Sequence, residues 1–282
     1  MGWRPVIAAI DRSMHIRSKP WSSPGRQRVL AVAPHPDDEA IGCAGTLLRH
    51  HACGDHTCIA IATDGRRSQS VRGAGPDAMA RLRHAEAQQA ARLMHAERLE
   101  WLGLPEGEWQ PAELTERLRT LIIDWRPTLV YAPSRVDFHP EHRAVAQALA
   151  LALVGAAEIT ANARVRVYQV QVPLTPVLIN LYSDVSEWRE SCARVLAAYA
   201  SQARSITSAE RLKRYSSLSH GGTRHIESFW QMPAQDYAAL HRGSPREWPD
   251  AFRGLRNFPL SDPLAWLSGN RERRRIVTPR PD

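Results

Sequence analysis

Two short stretches of this 282-residue chain gather side chains that could act together on a metal and a water molecule. In the first, Pro34-His35-Pro36-Asp37-Asp38-Glu39, one imidazole is followed by three carboxylates. Pro36 restricts the residue before it to extended backbone, which keeps His35 out of helical register. Adjacent acids in such a turn point in different directions, so one can bind a metal while the other addresses its bound water. The second stretch, Asp137-Phe138-His139-Pro140-Glu141-His142-Arg143, adds further imidazoles and acids. Together they offer two or three imidazoles and several carboxylates to one point. That set suits a catalytic zinc, which takes three nitrogen or oxygen ligands and keeps a fourth position for water. Zinc lowers the pKa of that water from about 15.7 toward roughly 7. The first stretch alone could be a helix N-terminus decorated with favourable acids. Both together resist that explanation, because gathered histidines and acids carry desolvation and repulsion costs.

The elements that must position these residues follow from the apolar pattern. RVLAVA, at Arg28–Ala33, is a short apolar, β-branched run that reads as a buried strand. A helix is expected over 39–52, with Gly54 as its C-cap. The alternation then repeats, with strands over 57–63, 99–102 and 128–132 and helices over 77–96, 113–125 and 141–154. Leu114, Leu118, Leu121 and Ile122 share one helical face. Alternating strands and helices predict an α/β fold, Rossmann-like, its mostly parallel sheet carrying helices on both faces. Both motifs lie at carboxyl ends of strands, where ligands bind in open sheets of this kind. They converge if their strands are neighbours.

After Gly155 the texture changes. Residues 164–172 (RVRVYQVQV) alternate as a half-exposed strand should, and 177–182 is a candidate hairpin partner. Helical segments are expected over 187–203 and 208–217, so a C-terminal β-hairpin and helical extension completes the domain. The organisation expected is an irregular lead-in over 1–26, one domain over 27–244, and a Pro/Arg-rich tail over 245–282.

At the two motifs the chain resembles the PIG-L, or LmbE-like, family of zinc deacetylases. The family's (P/A)HPDDE motif is similar to Pro34–Glu39, followed by the glycine-bearing helix start Ile41-Gly42-Cys43-Ala44-Gly45, and its HPDH motif is similar to His139–His142. Weaker echoes are Thr63-Asp64-Gly65, the Arg83/Glu86/Ala90-Ala91 pattern, and Tyr199-Ala200-Ser201-Gln202. The resemblance spans about residues 27–205. It implies a zinc-dependent hydrolase that removes an N-acetyl group from an amino sugar, such as an N-acetylglucosamine conjugate or secondary metabolite. It further implies His35, Asp38 and His142 as zinc ligands, Asp37 as general base, and His139 as the residue that steadies the oxyanion or protonates the departing amine. The usual aspartate before the last histidine is Glu141 here, expected to orient the ring of His139. Arg66, beside the Thr-Asp-Gly turn, is a candidate substrate contact, since its forked donors suit phosphate or sugar hydroxyls. A His₂Asp donor set would accept iron(II) or cobalt(II) in place of zinc.

Composition excludes several other classes. Hydrophobic residues at 43% and charged residues at 23% are ordinary for a globular protein. The longest apolar run, 144–157, is interrupted by Gln147 and falls short of the roughly 20 residues of a membrane span. Near the N-terminus only 6–10 is apolar, too short for a signal peptide, so a cytoplasmic location is expected. Four cysteines are too few for a disulfide scaffold. The net charge of +8 is dense only at 271–275, without the aromatic interleaving of a nucleic-acid surface, so no nucleic-acid partner is expected. His50, His51, Cys53, His56 and Cys58 match no zinc-finger spacing and are not expected to bind a second metal. Residues 66–76, with Ser68, Ser70, Gly73 and Gly75, have the composition of a lid. A thiol-conjugate amidase acting beside a sugar-inositol or sugar-malate unit, and a non-catalytic basic protein binding an anionic partner, stay open as alternatives. The sequence leaves the oligomeric state open.

Overall fold

The computed structural model describes residues 18–241, apart from 24, 134, 136, 138, 171–173, 175–177, 204–205, 208–209, 211–212, 214–215 and 218–223. The lead-in before 18, the tail beyond 241, residues 171–172 and 177 of the two expected hairpin strands, and much of the segment expected over 208–217 lie outside the described residues.

The chain runs β1 (Lys19–Pro20), β2 (Arg28–Ala33), α1 (Asp38–Ala52), β3 (His56–Thr63), α2 (Pro76–Leu93), β4 (Arg98–Leu104), α3 (Pro111–Trp125) and β5 (Leu129–Ala132). It continues through α4 (Pro140–Gly155), α5 (Ala157–Thr160), β6 (Arg164–Val167), β7 (Leu181–Asp184), α6 (Arg189–Ala197), β8 (Ile226–Pro233) and α7 (Ala234–Leu240). Short 3₁₀ turns at Ser186–Trp188 and Ala200–Gln202 flank α6. The strands form one sheet in the order β1-β7-β8-β6-β5-β2-β3-β4. Every pairing is parallel except those of β8, which runs antiparallel to both β6 and β7.

The central strands are covered on both sides, which is why they read as continuous apolar runs. Leu30 and Val32 of β2 face the core under α3, α4 and α7. Val29, Ala31 and Ala33 face the opposite core, under α1, α2 and α6. From β2 the chain winds one way through β3 to β4, then returns to place β5 on the other flank of β2. The loops leaving β2 and β5 therefore diverge to opposite faces and open a crevice at the switch point.

Two departures from the sequence reading concern long-range pairing. The expected hairpin between 164–172 and 177–182 does not form. Leu181 and Tyr182 lie in β7, and β8 stands between β7 and β6. The helix expected over 77–96 closes at Leu93, because His95 takes a left-handed φ of 56° and turns the chain into β4. Helix α1 is kinked at Cys43 (φ −152°, ψ 20°). There Glu227 of β8 accepts the N–H groups of Gly45 and Thr46 and the Thr46 hydroxyl.

Candidate metal centre

The registers Val29↔Leu129, Leu30↔Val130 and Ala31↔Tyr131 make β2 and β5 neighbours, so the two motif loops meet. His35, Asp37, Asp38, Asp137, Glu141 and His142 are all buried at their junction. His35 Nδ1 lies 3.1 Å from His142 Nε2 and 3.3 Å from Asp38 Oδ2. Asp38 Oδ2 lies 3.2 Å from His142 Nε2, which closes the triangle.

The remaining ring nitrogens fix the tautomers. His35 Nε2 is 2.6 Å from Glu141 Oε2, and His142 Nδ1 is 3.0 Å from Asp137 Oδ2. A carboxylate only accepts, so each of these nitrogens donates. With the outer nitrogens engaged in this way, His35 Nδ1 and His142 Nε2 are the ring atoms left to meet Asp38 Oδ2 at the centre of the triangle. A cation bound there would take the place of the ring protons that otherwise bridge these nitrogens to the carboxylate. A tetrahedral zinc with ligands at 2.0–2.1 Å separates them by about 3.3–3.4 Å, close to the edges observed here. Burial alone would depress both imidazoles, yet Asp38 and Glu141 lift His35 to about 9, and Asp38 and Asp137 raise His142 well above its usual range. The carboxylates around the two rings favour positive charge at this point. Two further trios in the same pocket, His35/His139/His142 and His35/Glu106/Glu141, also have donor atoms within 4.8 Å of one another.

Asp37 lies beside this triangle without supplying one of its atoms. Its φ of 129° is rare for a residue with a side chain and marks local strain. Arg83 of α2 holds it there, with Nη2 3.2 Å from Asp37 Oδ1 and donating also to the Pro36 carbonyl. Burial pushes the Asp37 carboxyl up to about 7, with Asp38 adding and Arg83 opposing. A base poised near neutrality is what proton transfer at physiological pH requires. Glu39, also pushed by burial to about 7, accepts the Tyr199 hydroxyl and the Asp37 N–H.

His139 caps α4, its Nδ1 accepting the Glu141 N–H at 3.3 Å. Its ring stands edge-on to His35 at 4.9 Å between centroids. Burial and the neighbouring imidazoles lower it to about 4, so at neutral pH it is uncharged and carries its proton on Nε2. The side chain of Glu141 does not orient the His139 ring. Its carboxylate reaches past it to His35, while its other oxygen accepts Gly107 N–H and Trp109 Nε1–H.

Arg66 is tied to Asp64 through Nε at 2.7 Å and keeps about a quarter of its side chain exposed at the rim. The loop after it is fastened by Gln202, whose amide nitrogen donates to Ser68 and Ser70. The histidine and cysteine cluster near residue 50 has no common focus. His50 pairs with Asp55 and Tyr131, His56 with Glu97, and His51 stacks on His95. Sequence reasoning gave no role to Asp137, Arg83 or Gly107, and it offered Trp109 only as a core or sugar-stacking aromatic, not as a donor to Glu141. Asp137 stood in the quoted motif and Arg83 in a weaker echo, whereas nothing in the sequence tied Gly107 or Trp109 to Glu141.

A doubly wound α/β domain whose imidazoles and carboxylates converge at its switch point offers a candidate metal centre beside a buried carboxylate. Residues 30–153 match the PIG-L family model, described as GlcNAc-PI de-N-acetylase. A probable N-acetyl-α-D-glucosaminyl L-malate deacetylase of Bacillus anthracis is 27% identical over 74% of this chain and 97% of its own length. A diacetylchitobiose deacetylase of Thermococcus kodakarensis is 27% identical over 42% of this chain and 45% of its own. Among solved structures, the N,N′-diacetylchitobiose deacetylase of Pyrococcus horikoshii superposes with a TM-score of 0.64 at 21% identity, covering 74% of this chain and 85% of that one. The fold alone is not specific to one reaction. A 4-carboxy-2-hydroxymuconate hydratase from Pseudomonas putida, 16% identical, has a TM-score of 0.62 over 72% of this chain and 95% of its own.

Proposed function

We propose that this chain is a zinc-dependent N-deacetylase acting on an amino sugar of the N-acetylglucosamine type within a larger conjugate. The observation that carries the reading is the triangle of His35 Nδ1, Asp38 Oδ2 and His142 Nε2, with edges of 3.1–3.3 Å, beside the strained, near-neutral Asp37. The relatives named as N-acetylglucosaminyl-malate and diacetylchitobiose deacetylases support the substrate class.

His35, Asp38 and His142 would hold the zinc, which supplies Lewis acidity toward the amide carbonyl and a water acidic enough to attack near neutral pH. Asp37 takes the proton from the attacking water as the carbon–oxygen bond forms. The Nε2–H of neutral His139 donates to the developing oxyanion, a position where one preorganised donor is worth about 10²–10³-fold in rate. Protonated Asp37 then returns the proton to the amide nitrogen as the carbon–nitrogen bond breaks, leaving acetate and a free amine. Arg66, at the rim, contacts the sugar hydroxyls or an anionic aglycone.

The test is acetate release by the purified protein, loaded with zinc, stripped with chelator, and as Asp37→Ala, across N-acetylglucosamine conjugates that include the malate and inositol glycosides and diacetylchitobiose. Zinc-dependent acetate that is lost in the variant is the expected result. No acetate from zinc-loaded protein on any conjugate would overturn the reading.

A further inference from the structure

Glu141 lies 106 positions along the chain from His35, yet its carboxylate receives three hydrogen bonds that join two separate parts of the site. Oxygen Oε2 accepts from His35 Nε2 at 2.6 Å. Oxygen Oε1 accepts from Gly107 N at 2.9 Å and Trp109 Nε1 at 2.6 Å, both in the loop between β4 and α3. The 2.6 Å separation is that of a charge-assisted hydrogen bond, shorter than the edge between two ligands of one zinc. Glu141 is therefore placed behind His35 rather than among the donors that face the triangle.

We propose that Glu141 is a positioning residue that fixes His35 in its Nε2–H tautomer, and that the 105–110 loop holds Glu141 in place through Trp109 and Gly107. The inference rests on the zinc reading above. Its logic is the side-chain inventory. All three partners are donors, and only an ionised carboxylate accepts from all of them at once. Glutamine keeps the shape but offers one acceptor oxygen, so it must lose either His35 or the loop and aim an N–H at a donor. Aspartate is shorter by one carbon–carbon bond, about 1.5 Å, and cannot span from α4 to both His35 and the loop. The length of the glutamate, unusual in this motif, is thus what joins the loop to the metal ligand.

The experiment measures zinc affinity by competition with a chromophoric chelator, and the visible spectrum of the cobalt(II)-loaded protein, for wild type, Glu141→Gln, Trp109→Phe, the double variant and His35→Ala. Loss of such a supporting carboxylate typically weakens metal binding about 10–100-fold. Glu141→Gln is expected to fall in that range with a shifted cobalt spectrum, and Trp109→Phe to lose less. Because both act through one carboxylate, the double variant is expected to bind no more weakly than Glu141→Gln alone. Wild-type zinc affinity in Glu141→Gln, or fully additive losses in the double variant, would overturn the inference while leaving the zinc site intact. Equal zinc binding by wild type and His35→Ala would instead overturn the metal assignment itself. Trp109→Phe removes a single donor, so it remains readable should Glu141→Gln fail to fold.

Discussion

Replacing Arg83 with methionine tests how the candidate base is held. Arg83 is 4% exposed and Asp37 5%, and their charged atoms lie 3.2 Å apart. The same guanidinium donates to the Pro36 carbonyl, so it grips the backbone just before Asp37 and the carboxylate just after. The Asp37 conformation (φ 129°, ψ −24°) costs on the order of 1–3 kcal/mol, which surrounding contacts must offset. Methionine fills similar space but removes charge and donors. Breaking a buried pair from one side costs about 3–5 kcal/mol, because the remaining charge is left uncompensated. Asp37→Asn removes the charge yet keeps an acceptor for Arg83, so its loss is expected to be nearer 1 kcal/mol. In the double variant no buried charge is stranded, and the loss should fall below the sum by roughly 1–3 kcal/mol. Urea unfolding of the four proteins in chelator measures this, with metal binding excluded from the stability. Additivity within about 0.5 kcal/mol, or an Arg83→Met protein as stable as wild type, would refute the clamp.

Three further outcomes follow from packing and burial. A Cβ at Gly42 would lie 2.3 Å from Tyr168, whose buried ring is pinned by its hydroxyl bond to the Val32 carbonyl. Gly42→Ala should therefore cost about 1–3 kcal/mol by thermal unfolding, whereas Gly75→Ala, with open space around it, should be near neutral. Burial lowers the His50 pKa, with Arg166 and Arg49 adding and Asp55 opposing. Above the ordinary histidine value of 6.5 neither state carries the proton and the contribution to stability is complete. As pH falls through 6.5, the unfolded chain takes a proton that folded His50 refuses. Stability then drops by up to about 1.4 kcal/mol per pH unit until the folded pKa is reached, and His50→Gln should remove that slope. An unchanged slope would refute the assignment. Gln202→Leu, which breaks the donors to Ser68 and Ser70, should speed amide exchange at Arg67 and Ser68 several-fold, corresponding to about 1 kcal/mol. Unaltered exchange there would show that the loop is held by other contacts.

What the sequence determined by itself was local. Continuous apolar runs announced β2 and β5, because strands buried on both faces need no polar side. Proline and the acids marked where each run ended in a turn, and those turns carry every donor of the triangle. The alternation of strand and helix then limited the topology to a doubly wound sheet, which in turn placed both turns at one edge. Tertiary structure decided what depends on distant parts of the chain. β8 inserts between β6 and β7, because an antiparallel strand can pair with either and nothing local selects its neighbours. Cys43 breaks the regular helix where Glu227 supplies an acceptor from across the sheet. Glu141 bonds to His35 instead of orienting the ring of His139, since one extra methylene changes which donor lies within reach. Residue types fix what chemistry is available, and only the packing of separate elements fixes which atoms face one another at hydrogen-bond range, where a shift of one ångström separates a ligand from its support.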